Sequence, residues 1–349
     1  MLVFLLAGTS GRAQGCSDGG LCSFGTMGIL QPRYVNIPLD QVKLTPMNVV
    51  DSAALSYTHV RDTSMPAGAG GNAYVVQAKS VDTGYVSHIT SCELSAYYGI
   101  GEHNTSVIIT QLEGNFNLVN RKLYGQVKIP YSVVSGNLGT TNGLSDITMS
   151  LSYVAFDKGR SSMSFAAGVK IPSNSSDLSK DNRPLPMVYQ TSLGSTDILL
   201  GTRFAYRKWD FSAGYQHSFN GNSNHYVHIP GAGDSLTYNG YFESNNLRRA
   251  DDAMFRINRK FQAKKIELNT GLLFIFHLAN DDYTDATGNR VKATGSQGLT
   301  LNFDLAGSIP VGKKTDLTFI LAKPLKQRSY VTDGLARSFV GIVGIKQNF

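Results

Sequence analysis

The sequence has no apolar run long enough to cross a bilayer as a helix. Its longest, Gly271 to Phe276, has only strand length, against the ~20 residues that a helical span needs. Charge is also scarce: Asp, Glu, Lys and Arg make up 16% of the chain, below the roughly 25% of an ordinary soluble domain. The net charge is +7, but the Lys and Arg residues read as scattered, with no basic stripe and no recognisable nucleic-acid module. A nucleic-acid partner is not expected. No set of four ligands for a structural zinc is visible, so neither a metal nor another cofactor is expected.

What the chain has instead is glycine (36), tyrosine (17) and phenylalanine (17). Many glycines, hydroxyl residues and aromatics with little charge suit strands. Period-two alternation, the signature of side chains pointing to opposite faces of a strand, runs through the chain. Leu299, Leu301, Phe303 and Leu305 oppose Thr300, Asn302 and Asp304. Leu272, Phe274 and Phe276 oppose the polar parity of Glu267, Asn269 and His277. Ile147, Met149, Leu151 and Tyr153 oppose Asp146, Thr148 and Ser150. Similar segments lie around residues 127–133, 163–171, 197–207, 209–216, 252–258, 316–321 and 339–349, with weaker ones at 53–59 and 90–100. Many approach the ~9–11 residues of a tilted membrane-crossing strand. The linkers between them alternate long and short, as in outer-membrane barrels with tight periplasmic turns and long outer loops.

The fold expected is all-β: an antiparallel transmembrane β-barrel of about twelve strands. The irregular stretch 101–122 reads either as one long kinked strand or as an extra pair with 72–80, which leaves fourteen as the alternative. The apolar face then meets lipid, and the polar face lines the lumen. That inner face is expected to carry Glu93, Lys128, Asp146, Lys170, Asp197, Arg203, Arg207, Asp210, Asp252, Arg256, Lys265, Glu267, Asp304, Asp316 and Lys346. Their signs nearly balance, which argues against a pore selective for one sign of ion. Two readings stay open: charges that brace the wall, and a polar path for solutes.

Residues 1–13 read as a signal peptide that lacks its basic start. Residues 14–48 read as a plug or periplasmic segment, in which Cys16 and Cys22 tie a small disulfide loop. The barrel is assigned to 49–349. "YQHSFNGNSNH" invites a hydrolase reading, but His217 and Ser218 fall on opposite faces of one strand and cannot form a base–nucleophile pair there. No enzyme is expected.

Two stretches, "GQVKIPYSVVSGNLGTTNGLSDITMSLSY" and "AAGVKIPSNSSDLSKDNRPLPMVYQTSLGSTDILLGTRFAY", carry a family resemblance. In each, a strand ends in Lys-x-Pro and, after a polar loop, Gly-x-x-Asp opens the next. Lys128–Pro130 leads to Gly143 and Asp146; Lys170–Pro172 leads to Gly194 and Asp197. The pattern resembles outer-membrane channels grouped under the meta-pathway of phenol degradation, related in architecture to FadL-type transporters of hydrophobic compounds. The resemblance implies passive uptake of small, hydrophobic or aromatic solutes across the outer membrane of a Gram-negative bacterium. The alternative is a non-transporting barrel that acts as a structural or secretion-linked partner. Expected partners are outer-membrane lipid, the barrel-assembly machinery and a small solute. The last strand ends on Phe349, similar to the signal read by that machinery. Deleting Phe349 is expected to impair assembly, scored by the change in gel mobility on boiling that folded barrels show; normal insertion without it contradicts this reading.

Overall fold

The computed structural model describes residues 88–119, 122–229, 238–263, 266–333 and 339–349. The expected signal peptide, the plug with Cys16 and Cys22, the weak strand at 53–59 and Lys265 lie outside these residues.

The alternation becomes a closed ring of antiparallel strands. In chain order these are β1 (His88–Ile100), β2 (Ser106–Val119), β3 (Leu123–Gly136), β4 (Gly139–Leu144), β5 (Ile147–Asp157), β6 (Ser161–Ile171), β7 (Asp197–Tyr206), β8 (Trp209–Ser218), β9 (Asp252–Ala263), β10 (Ile266–His277), β11 (Gly298–Pro310), β12 (Thr315–Lys326) and β13 (Val340–Asn348). Each pairs with its neighbours in sequence, and β13 returns to pair with β1 from Ser91↔Asn348 to Gly99↔Val340. β4 and β5 are one stave in two pieces. β3 pairs with β5 through Lys128↔Thr148 and with β4 from Tyr131↔Leu144 onward. The barrel therefore has twelve staves. Pro130 sits where β3 changes partner, a point at which a missing N–H is tolerated.

The strand reading needs one correction. The twelfth stave among the described residues is β2, within the stretch left irregular above, rather than 53–59. Its alternation is blurred because Val107 and Ile109 face inward beside outward Ile108, and because Thr110 and Gly114 interrupt the apolar row.

The two faces separate as the parity requires. Leu94, Tyr98, Leu112, Leu151, Phe204, Val343 and Ile345 are exposed on the outside, whereas Ser91, Glu93, Ser95, Lys128, Ser150, Asp304 and Lys346 are buried inside. An apolar shell around a polar interior is the inverse of a soluble protein, and lipid is the solvent that makes it stable. β7–β8, β5–β6 and β11–β12 are joined by tight turns at one end. The connections 172–196, 219–251 and 278–297 gather at the other, so the alternation of linker lengths holds.

Asn258 and Asp304 flank Gly271 in the sheet and share its inward parity. A Cβ on Gly271 would lie 1.9 Å from Asn258 Oδ1 and 2.3 Å from the Ile257 carbonyl oxygen. Gly271→Val is expected to cost about 1–3 kcal/mol by overpacking. It should lower the temperature at which the barrel loses its compact gel mobility in detergent; an unchanged temperature contradicts this close approach.

Candidate functional site

The charges on the inner wall form a row set by strand register. Asp316 on β12 lies opposite Lys346 on β13, Lys346 opposite Glu93 on β1, and Glu93 opposite Glu113 on β2. Glu113 then faces Lys128 on β3, Lys128 faces Thr148 on β5, Thr148 faces Lys170 on β6, and Lys170 faces Asp197 on β7. Asp316 is next to the tight turn 311–314, whereas Asp197 follows the long connection 172–196. The row therefore climbs the barrel from one end to the other.

Within it, Lys128 Nζ is 3.2 Å from Glu113 and Lys170 Nζ is 2.6 Å from Asp197. Thr318 donates to Glu93 at 2.7 Å, and Gln126 donates to Glu113 at 2.9 Å. Burying these groups singly would cost several kcal/mol each; pairing offsets that desolvation. Glu113 completes the row and was not among the expected residues, because the irregular stretch 101–122 gave no parity from which to assign its faces.

A second group lies around β7 to β11. Arg203 Nε donates to Asp210 at 2.7 Å, and Arg256 Nε lies 4.0 Å from buried Asp304. Glu267 and Asp316 are half-buried near the tight-turn end. Arg207 is a correction. It is exposed in the β7–β8 turn with φ of 55°, and its guanidinium lies 5.3 Å from the Tyr206 ring centre, outside the lumen. A two-residue hairpin with a positive φ ends the strand before Arg207 can take the inward parity.

The mouth holds a buried polar chain that ties the long connections to the wall. Arg249 bridges Asp197 and Asp252 at 3.4 Å each; His277 Nδ1 lies 2.7 Å from Asp252, and His277 Nε2 lies 2.7 Å from Asp281. Thr332 donates to Asp281 at 2.6 Å. Burial alone would push the Asp281 carboxyl up, but the His277 hydrogen bond and charge, with the Thr332 hydroxyl, hold it down to about 2. Its value lies below the usual carboxylate range. The stabilisation is therefore present above ~pH 4 and is lost as pH falls through about 2.

Asp146, in the break between β4 and β5, accepts from Ser192 Oγ at 2.5 Å and from the Leu193 amide at 3.1 Å. The two Lys-x-Pro/Gly-x-x-Asp repeats thus differ in their contacts. In the second, Lys170 and Asp197 are partners. In the first, Lys128 pairs with Glu113, while Asp146 holds the 172–196 connection. Gly194, two residues after Ser192, has a φ of +72°, which a side chain would strain.

Two apolar clusters interrupt the polar lumen. In one, Leu185, Val188 and Tyr189 of the 172–196 connection, with Tyr226 and Tyr241 of the 219–251 connection, pack on inward-facing Tyr97, Val107, Val134 and Val340. These connections therefore fold into the mouth. Tyr189 and Tyr241 hydroxyls are 3.1 Å apart, and burial raises the Tyr241 pKa above the ordinary phenol value. In the other, Leu199, Met254, Leu273 and Ile275, with Ala166, form an apolar patch on the inner wall of β6, β7, β9 and β10. Neither cluster was foreseen, although the sequence held a signal. In "DILLG" and "GLLFIF" both parities are apolar, so the inner face is apolar there too.

His217 lies beside Asp251 at 2.8 Å on the outer parity, while Ser218 is buried and donates to the Asn220 carbonyl. Among the described residues no group of three His, Cys, Asp or Glu is arranged to hold a metal ion. Replacing His277 by Leu leaves Asp252 and Asp281 buried without their shared cation, a cost on the order of 3–5 kcal/mol. The variant should stay a folded barrel by gel mobility but be cut faster by trypsin in 278–297. Unchanged cleavage contradicts the anchoring role.

No family model and no curated protein matches the sequence. Among solved structures, the chain is similar to the COG4313 outer membrane channel from Pseudomonas putida F1, with 12% identity over 77% of this chain and 98% of that one and a TM-score of 0.50. It also aligns with the NanC porin (7% identity, 74% and 100% coverage, TM-score 0.45) and with the CymD monoaromatic hydrocarbon channel (9% identity, 74% and 88% coverage, TM-score 0.37). The first likeness shows the fold; the other two are too distant to add to it.

Proposed function

We propose that the chain is a channel in the outer membrane of a Gram-negative bacterium for passive uptake of small hydrophobic or aromatic solutes. The observation that carries this reading is the inward-facing patch of Leu199, Met254, Leu273 and Ile275. These side chains are buried against one another, so this part of the inner wall is apolar packing rather than a hydrated surface. An apolar lining of this kind suits passage of apolar solutes better than that of ions. The buried tyrosine cluster at the mouth adds a second apolar region, on the other side of the barrel against β1, β2, β3 and β13. The resemblance to channels of the phenol meta-pathway group and the fold shared with the COG4313 channel agree with this reading.

The inner charges are mostly paired with one another, so they present little net field to an ion. The reading therefore places the solute along the apolar patches and gives the ion pairs the task of bracing the wall. Expressed in a porin-poor host, the protein should raise uptake of radiolabelled toluene well above the vector control. Leu199→Asp with Leu273→Asp should return uptake close to that control, in a barrel that still shows compact gel mobility. Wild-type uptake equal to the vector contradicts the proposal and favours a non-transporting barrel.

A further inference from the structure

The cations that look scattered along the sequence gather in space at one end of the barrel. Among the described residues four tight turns carry them: Lys122, Lys158 with Arg160, Arg207 with Lys208, and Lys313 with Lys314. All are exposed. Among the described residues none of them lies within 4.0 Å of a carboxylate. Asp157, an exposed acid beside these turns, has an oxygen engaged by the Gly159 amide at 3.0 Å, and Asp316 and Glu267 nearby are half-buried on the inner parity. The opposite end differs. There Arg249 is held by Asp197 and Asp252, and Arg290 and Lys292 are both held by Asp282, while Lys180, Arg183, Lys323 and Lys326 are exposed among acids such as Asp177, Asp181 and Asp285. The net charge of +7 is therefore not spread evenly. Among the described residues the tight-turn rim holds seven exposed cations with little acid among them, whereas the other end mixes its exposed cations with carboxylates.

A second feature fixes the depth of that rim. Tyr153, Tyr206, Trp209 and Phe261 lie on the outer face next to the turns, each more than two-fifths exposed. Such aromatics mark the boundary between hydrocarbon and headgroups. Arg259 points outward among them, its guanidinium 5.3 Å from the Trp209 ring centre and 5.4 Å from that of Phe261. Stacked guanidinium planes keep their N–H edges open to phosphate oxygens. Just beyond the belt, the turn cations stand at headgroup level.

We propose that this rim binds the phosphate headgroups of anionic phospholipids in the periplasmic leaflet. The tight turns of outer-membrane barrels face that compartment. Its lipid is thus the source of phosphate within reach, and the rim holds the barrel at a set depth and orientation. The surface goes beyond the transport reading and does not depend on it.

The test uses the full-length protein in nonionic detergent with equal amounts of phosphatidylglycerol and phosphatidylcholine, and native mass spectrometry to count retained lipids. Wild type should retain phosphatidylglycerol in excess, and 0.5 M salt should reduce that excess. Arg207→Gln, Lys208→Gln, Lys313→Gln and Lys314→Gln combined should lower the excess by about two- to fivefold per cation removed. The same number of changes at the other end, Lys180→Gln, Arg183→Gln, Lys323→Gln and Lys326→Gln, should leave it nearly unchanged. Gel mobility on boiling establishes that both variants are folded. Equal retention of the two lipids by wild type, an excess insensitive to salt, or equal losses in both variants would each overturn the proposal, as would capture of an acidic protein by the rim without any lipid preference. The salt arm needs only wild-type protein and stands even if the variants do not fold.

Discussion

Everything in the barrel depends on the pairing of β1 with β13. In hydrocarbon no water is present to satisfy backbone N–H and C=O groups, so a sheet edge there is not tolerated. The ladder from Ser91↔Asn348 to Gly99↔Val340 removes the last two edges. Once the ring is closed, parity does the rest. Leu94, Ala96 and Tyr98 on β1 and Val343 and Ile345 on β13 must all meet lipid, and Glu93, Ser95 and Lys346 must all turn inward. A slip of one residue at this seam would turn one of the two strands over and place either Glu93 or Lys346 in the bilayer.

Closure also creates the problem that the lumen solves. Inward charges lie in a confined space with less water than a free surface offers. They are stable because the register sets Glu113 beside Lys128 and Lys170 beside Asp197. Where the register offers no polar partner, the wall is apolar, at Leu199, Met254 and Leu273 on one side and at Tyr97, Val107 and Val340 on the other. The second of these regions takes the 172–196 and 219–251 connections, which explains why long loops fold inward rather than stand free. The chain through Arg249, His277 and Asp281 fastens the connections that are not held by apolar packing.

The outer face was legible in the sequence because lipid imposes one simple demand on every second residue. The inner face was only half legible. Its demands come from neighbours across the sheet, and neighbour identity depends on register. Glu113 is an example: nothing near it in sequence marks it as the partner of Lys128. Arg207 shows the same limit from the other side, since the parity that assigns it to the lumen ends one residue earlier at Tyr206. The basic rim was invisible in a linear reading because its members are separated by whole strands, and only the up-and-down topology brings them to one end. The Lys-x-Pro pattern was read as a strand end, but β3 continues past Pro130 to Gly136. Its structural reason is more specific: Pro130 marks the point where β3 exchanges β5 for β4.

The seam can be examined with a single substitution, because Cys92 on β1 lies opposite Gln347 on β13 on the outer face, and Cys92 is a free thiol. Gln347→Cys protein is oxidised mildly in detergent and digested, and the peptides are mapped by mass. The closed barrel predicts a disulfide within one chain linking position 347 to Cys92. Failure of that bond to form in folded protein, or linkage of position 347 only to other cysteines, would contradict closure in this register.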